Sequence, residues 1–315
     1  MRIKKNHLYL GVIIILIITG FFVFLMINND DKNDEPLKAV AQENADKYVR
    51  EDGLLLKPSV GKVDFEVTEV EERDSVVVSK VVYRSTGHDV FGFLVEPSLS
   101  GRYPGIVLLP GAGVGKDAEL PLAIQVAQQG YVVFTIDQFG TGESKGQMLP
   151  FRQDVEMFKS SGLGMQHTLI IDALIAKNVV SQSAKVDENN IIFMGESLGG
   201  RIAMIAAALE DSIRGVIAIS AAGYHYNGTL DLQGRYITSL DADAYINKIS
   251  PRPVIMVHNT FDTNIPLQSA VVTYQKAEQP KAFFVFNDSS CNHGYCESMF
   301  TLLNESIGLM TGKKQ

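Results

Sequence analysis

Apolar and polar positions divide this chain into three regimes. Residues 8–27 form an unbroken apolar run without a charge. At about 1.5 Å per residue such a helix spans a hydrocarbon core of about 30 Å. Residues 28–36 are polar and charged and read as a solvated linker. Leu37, Val40, Ala41, Ala45 and Tyr48 then recur at helical spacing, which predicts a short helix over 37–50. From about residue 63 the pattern turns to strand. The β-branched and aromatic segments 75–84 and 90–95 flank Gly87-His88-Asp89 and predict a hairpin. Beyond it strands (104–109, 131–136, 191–194, 216–220, 253–257, 282–286) alternate with helices (120–129, 165–180, 201–210, 241–249, 269–277, 297–309). That rhythm implies an α/β fold with a mostly parallel sheet covered on both faces, its ligands lying beyond the C-terminal strand ends.

Charge orients the first segment. Arg2, Lys4 and Lys5 precede the apolar run, and Asn28-Asn29-Asp30-Asp31 follow it without a small-x-small cleavage signal. The pattern is that of an uncleaved, single-pass signal-anchor. The basic tip stays in the cytoplasm and the bulk of the chain lies outside the cell membrane; secretion after cleavage is the alternative. The expected organisation is residues 1–28 as tip and transmembrane helix and 29–62 as linker and short helix. Residues 63–315 form a catalytic domain with small cap insertions near 145–165 and 221–240.

A net charge of −8 gives nucleic-acid binding no electrostatic footing. The six histidines and two cysteines show no zinc-binding spacing, so no metal site and no cofactor are expected. Gly111-Ala-Gly-Val-Gly-Lys116 imitates a phosphate loop. The motif requires glycine where Pro110 stands and Ser or Thr where Asp117 stands.

Chemistry concentrates at Gly195-Glu-Ser-Leu-Gly199, a G-x-S-x-G sequence between an apolar strand and a helix. This is the setting of a nucleophile elbow, where small neighbours let a serine occupy a very tight turn at a helix N-terminus. A serine nucleophile needs a base, and the base an orienting acid, here in the chain order Ser, acid, His. The loop after strand 253–257 carries Asp262, and the loop after strand 282–286 carries His293. Asp288 is a rival for the acid and His258 for the base. Oxyanion donors are expected from the backbone of Leu198 and from the Gly-rich turn, at Ala112 or Gly111. Cys291 and Cys296 bracket His293 and would close its loop as a disulfide in an oxidising exterior. Met148, Phe151, Phe158, Tyr224, His225 and Tyr226, in the two insertions, are candidates for a substrate pocket, with Phe151, Tyr224, His225 and Tyr226 foremost.

Pro-Gly-Ala-Gly, Asp-Gln-Phe-Gly-Thr-Gly-Glu-Ser, Gly-Glu-Ser-Leu-Gly-Gly, Asp-Thr-Asn-Ile-Pro and Asn-His-Gly occur in that order. Together, over roughly residues 75–310, they resemble the α/β-hydrolase superfamily, nearest its dienelactone-hydrolase, acetyl-xylan-esterase and prolyl-oligopeptidase-like branches. The resemblance implies an eight-stranded, mostly parallel sheet and Ser197, Asp262 and His293 as catalytic triad. Pro110 stands where many relatives have histidine. The nucleophile is serine where dienelactone hydrolases carry cysteine, and the propeller domain of prolyl oligopeptidases is absent. The expected activity is hydrolysis of carboxylic esters through an acyl-enzyme, on a small-molecule or acylated substrate. A serine peptidase or an acyltransferase would use the same triad, and a non-catalytic binding module could share the fold.

Overall fold

The computed structural model describes residues 35–313. Its strands are β1 (Phe65–Arg73), β2 (Val76–Arg84), β3 (Asp89–Pro97), β4 (Tyr103–Leu109), β5 (Val132–Ile136), β6 (Val186–Glu196), β7 (Val216–Ile219), β8 (Val254–Asn259) and β9 (Lys281–Phe286). The helices are α1 (Glu35–Asp46), α2 (Lys116–Gln128), α3 (Phe151–Ser161), α4 (Met165–Ser181), α5 (Leu198–Leu209), α6 (Leu232–Ser239), α7 (Leu267–Lys276) and α8 (Phe300–Thr311). The strands form one sheet in the order β1-β2-β3-β5-β4-β6-β7-β8-β9. Pairings from β1 to β5 are antiparallel, and those from β5 through β4 to β9 are parallel. This is the α/β-hydrolase fold.

Two expectations are corrected. The sheet has nine strands among the described residues rather than eight. The extra edge strand, β1, reads Phe-Glu-Val-Thr-Glu-Val-Glu-Glu-Arg, and even its Val67 and Val70 are exposed. An edge strand with water on both faces needs no apolar alternation, so its pattern is faint. The helix expected over 241–249 is two short 3₁₀ turns, Ala242–Ala244 and Ile246–Ile249. The Asp241 carboxylate accepts from Asp243 N at 3.0 Å, and such local side-chain bonds compete with a continuous helix. Helices α3 and α6 lie within the segments read as cap insertions.

Alternate residues of each central strand feed opposite faces of the sheet. Val107 and Leu109 of β4 join the core beneath α4 and α5, where Leu174, Ile202 and Ile205 pack. Ile106 and Leu108 join the core beneath α2 and α8, with Leu122, Val126, Leu303 and Ile307.

The main body of contacts begins at Val40. Within it Ala45, Val49, Leu54 and Leu55 are buried in the α4–α5 core. Arg235 clasps this segment, donating to the carbonyls of Val49 and Arg50 and pairing with Asp46 at 2.8 Å. Leu55 N donates to Tyr245 Oη at 2.7 Å. Among the described residues no helix is long and apolar enough to cross a membrane; the run 8–27 lies outside them.

Because Leu55 is 3% exposed, Leu55→Ala is expected to cost about 2–5 kcal/mol of unfolding free energy. Urea denaturation at constant m-value measures it, and a loss below that range would mean this segment only drapes over the core.

Candidate active site

β6 ends at Glu196 and α5 begins at Leu198, so Ser197 alone makes the turn, at φ 52° and ψ −116°. That left-handed conformation is costly for a residue with a side chain and persists only where the surroundings impose it. Ser197 N donates to Ile219 O on β7 at 2.9 Å. Gly199 lies so close to the end of β4 that any side chain there would strike the Leu109 carbonyl. The elbow is thereby wedged against the Gly-rich turn, where a methyl on Gly111 would lie 3.7 Å from Ser197 Cβ.

That turn is held from behind. Gln138 Nε2 donates to Pro110 O at 2.7 Å. The fully buried Asp137 carboxylate accepts from Lys116 N and Glu143 N, both at 2.8 Å, and pairs with Lys116 Nζ at 3.0 Å. Burial alone would lower the Lys116 pKa, but Glu143 and Asp137 outweigh it and hold the ammonium above its ordinary value. The lysine of the phosphate-loop lookalike is thus a structural counter-ion.

Asp262 and His293 meet on the neighbouring loops. His293 Nδ1 donates to the Asp262 carboxylate, 2.9 and 3.0 Å from its two oxygens. Asn264 N and Ile265 N donate to Asp262 Oδ1 at 2.9 and 2.8 Å. Burial works to raise the Asp262 pKa, yet the bonds from His293, Ile265 and Asn264 prevail and hold it below the ordinary carboxylate range. The rivals are otherwise engaged. Asp288 accepts from Ser290 and Ser298. His258 is 1% exposed and donates Nε2–H to Ile265 O at 2.8 Å, while its Nδ1 has no partner. Desolvation lowers its pKa. His258 braces the Asp262 loop.

A contact the sequence reading missed docks the His293 loop on the elbow. Glu196, the residue before Ser197, accepts from Tyr295 N at 2.9 Å through Oε2. Gly294 has φ 75°, and a methyl there would lie 2.6 Å from the same oxygen. Ser220 Oγ donates to Gly294 O at 3.2 Å. A disulfide between Cys291 and Cys296 closes the loop around His293. Beneath it the buried Glu119 of α2 hydrogen-bonds the half-buried Glu196, so the two carboxyl groups share a proton. Desolvation, then the neighbouring charge, pushes Glu119 up to about 9. Burial raises Glu196 as well, against the opposing Tyr295 N–H. Glu119 left little trace in the sequence, since a lone glutamate on a helix reads as solvated.

Ser197, Leu198 and Ala112 line a cavity of about 280 Å³. Met148, Leu169, Ala222 and Ile265 supply apolar wall, and Gln166 and Arg201 supply polar groups. Of the pocket candidates, Met148 lines this cavity, whereas Phe151, Phe158, Tyr224, His225 and Tyr226 do not. Phe151 and the buried Phe158 pack on Tyr236. His225 lies between Asp243 Oδ2 at 2.6 Å and Ser269 Oγ at 2.7 Å, and Tyr226 donates to Thr229 O. Aromatic rings in the insertions mostly serve packing. Tyr224 reaches the site indirectly, with the Arg201 guanidinium 4.1 Å above its ring. A larger cavity of about 710 Å³ lies among residues 47–63, Arg84 and α4 and shares no residue with the Ser197 cavity.

Fold and elbow define a hydrolase of the α/β class, and comparison with known proteins narrows the class. Residues 43–247 match the acetyl xylan esterase (AXE1) family. The chain belongs to that family and is a serine esterase of the α/β-hydrolase type. The match includes the Gly-rich turn and Ser197; Asp262 and His293 lie beyond it. The uncharacterized protein YfhR of Escherichia coli O157:H7 is 28% identical over 216 residues, 64% of this chain and 70% of that protein. The acetyl xylan esterase of Paenibacillus sp. R4 superposes with a TM-score of 0.65 at 16% identity, covering 89% of this chain and 96% of that one. Acetyl xylan esterase 1 of Thermoanaerobacterium sp. JW/SL YS485 gives 0.63 at 15% identity, over 89% and 95%. At such identities the likeness establishes the fold.

The shared proton sets a pH dependence. Glu119 is raised from 4.5 toward about 9 on folding. The native state therefore binds more protons than the unfolded chain between those values, and stability falls as pH rises through that window. In Glu119→Gln that slope is expected to flatten, so its melting temperature gains on wild type steadily from pH 5 to 9. A gap independent of pH would contradict the shared proton.

Proposed function

We propose that this protein hydrolyses carboxylic esters of short acyl groups through an acyl-enzyme, with Ser197 as nucleophile, His293 as base and Asp262 as the acid that orients it. The Asp262–His293 pair, with the His293 loop anchored to the residue before Ser197, supports this reading above all. His293 Nδ1–H is committed to Asp262, which leaves Nε2 as the acceptor required of a base. Nε2 takes the Ser197 proton as Oγ attacks the carbonyl carbon. The resulting imidazolium returns the proton to the departing alkoxide as the C–O bond breaks. Water, deprotonated by the same nitrogen, then attacks the acyl-serine and releases the carboxylic acid.

Oxyanion donors are assigned to Leu198 N–H and Ala112 N–H, with Gly111 as the alternative. The first N–H groups of a helix have no intrahelical acceptor and stand at its positive end; Leu198 opens α5, and Ala112 lines the same cavity. Each such donor is worth about 3–4 kcal/mol in the transition state. The apolar wall and the volume of about 280 Å³ suit an acyl group of a few carbons, and the acetyl esterases among the structural neighbours agree with that size. No cofactor enters the scheme.

For the whole chain we propose a membrane-anchored enzyme held by residues 8–27, with the catalytic body outside the cell. The uncharged run, its basic leading flank and the cysteine pair beside His293 support this reading.

A fluorophosphonate probe is expected to label wild type and not Ser197→Ala, whose melting temperature stays within a few degrees of wild type. His293→Ala should lose at least about a hundredfold in kcat on p-nitrophenyl acetate, the usual scale for a general base. Labelling of Ser197→Ala, or full activity without His293, would refute the assignment. In fractionated cells the activity should sediment with membranes and be reached by a membrane-impermeant probe. Activity in the cytosolic fraction would refute the anchoring.

A further inference from the structure

Arg201 is a half-buried cation in the wall of the candidate active site. It stands one turn into α5 and lines the cavity that contains Ser197. Among the described residues no carboxylate lies within ion-pair distance of it; the guanidinium carbon stands over the Tyr224 ring, 4.1 Å from its centroid. The nearby acids are spent elsewhere. Asp154 accepts from Gln166 N, Met165 N and Tyr236 Oη. Asp241 accepts from Tyr224 N, Tyr226 N and Asp243 N. Asp262 is taken by His293. The helix dipole also disfavours a cation near the start of α5, and no acidic residue in its first turn offsets that.

A half-buried guanidinium in a pocket wall, without a counter-ion, is available to an anion that a ligand supplies. Its planar fork of donors matches a carboxylate, and the Tyr224 face holds the plane in place. Tyr224 is itself fixed, since its backbone N–H is bonded to Asp241 at 2.8 Å. Gln166, on the same wall, adds a neutral hydrogen-bonding group.

We infer that Arg201, clamped by Tyr224, is a specificity residue that receives a carboxylate of the substrate while the ester carbonyl sits at Ser197, so that the preferred substrates are short esters bearing a carboxylate. This rests on the ester-hydrolase reading. It adds a charge requirement that the apolar wall alone would not impose.

The test compares an anionic ester with a neutral one of similar length, monoethyl succinate against ethyl pentanoate, by pH-stat titration of the full chain in detergent. A second pair, 4-acetoxybenzoate against 4-methylphenyl acetate, moves the carboxylate from the acyl to the alcohol side. The quantity read is the ratio of kcat/KM within a pair. Wild type is expected to favour the anionic member of at least one pair, by a ratio that falls as salt rises. In Arg201→Gln that ratio should fall about 10- to 100-fold, the worth of a hydrogen-bonded charge, and Arg201→Lys should restore part of it. Free succinate should inhibit neutral-ester turnover competitively in wild type, which tests the site without any substitution. A ratio unchanged in both variants, with no succinate inhibition, would overturn the anion site and leave the esterase reading intact. Absence of turnover on every ester, together with absence of fluorophosphonate labelling at Ser197, would bring down both.

Discussion

The structure turns on one close approach: the start of α5 against the end of β4, where Gly199 lies on the Leu109 carbonyl. Two things follow from a contact that admits no side chain. Ser197 is forced into its left-handed turn, and the Gly-rich turn leaving β4 is brought beside it. Ser197 and the proposed oxyanion donors are therefore positioned by one backbone-to-backbone contact between the start of α5 and the end of β4, which a packed core resists deforming.

Around this wedge the protein commits its buried charges one by one. Asp137 is neutralised by Lys116 and by two backbone N–H groups. Asp243 accepts from His225, Thr273 and Lys276; burial alone would raise its pKa, and these partners hold it low. Glu196 and Glu119 share a proton rather than both ionise. Each arrangement fixes a loop around the site: the Gly-rich turn, the 221–231 segment and the His293 loop respectively. A buried charge left unpaired costs several kcal/mol, so each pair resists the movement of its loop. Against that background an arginine in the cavity wall without a carboxylate stands out.

The strand–turn–helix around Ser197 was legible because every requirement of an elbow is local: an apolar strand, small neighbours, a helix former behind. The rhythm of strands and helices likewise showed which loops lie beyond strand ends, and hence where Asp262 and His293 would stand. β1 escaped notice because an edge strand washed on both faces carries little apolar alternation. The 3₁₀ turns at Ala242–Ala244 and Ile246–Ile249 were hidden because Asp241 competes for backbone N–H groups that the periodicity assigned to a helix. The aromatic residues of the insertions misled for a similar reason. Phe158, Phe151 and Tyr236 cluster with one another, and a ring in the sequence does not reveal which side of a helix will meet the core.

Sequence by itself determined the periodicities, the elbow and the order of the chemically competent residues, since these depend on neighbours a few positions apart. Only the tertiary structure decided which buried acids meet partners far along the chain, as Glu119, kept protonated, meets Glu196 and Asp137 is neutralised by Lys116. It also decided which residues wall the cavity. Both depend on desolvation and on contacts between segments that the chain separates by tens of residues. Neither quantity exists until the sheet has brought those segments together.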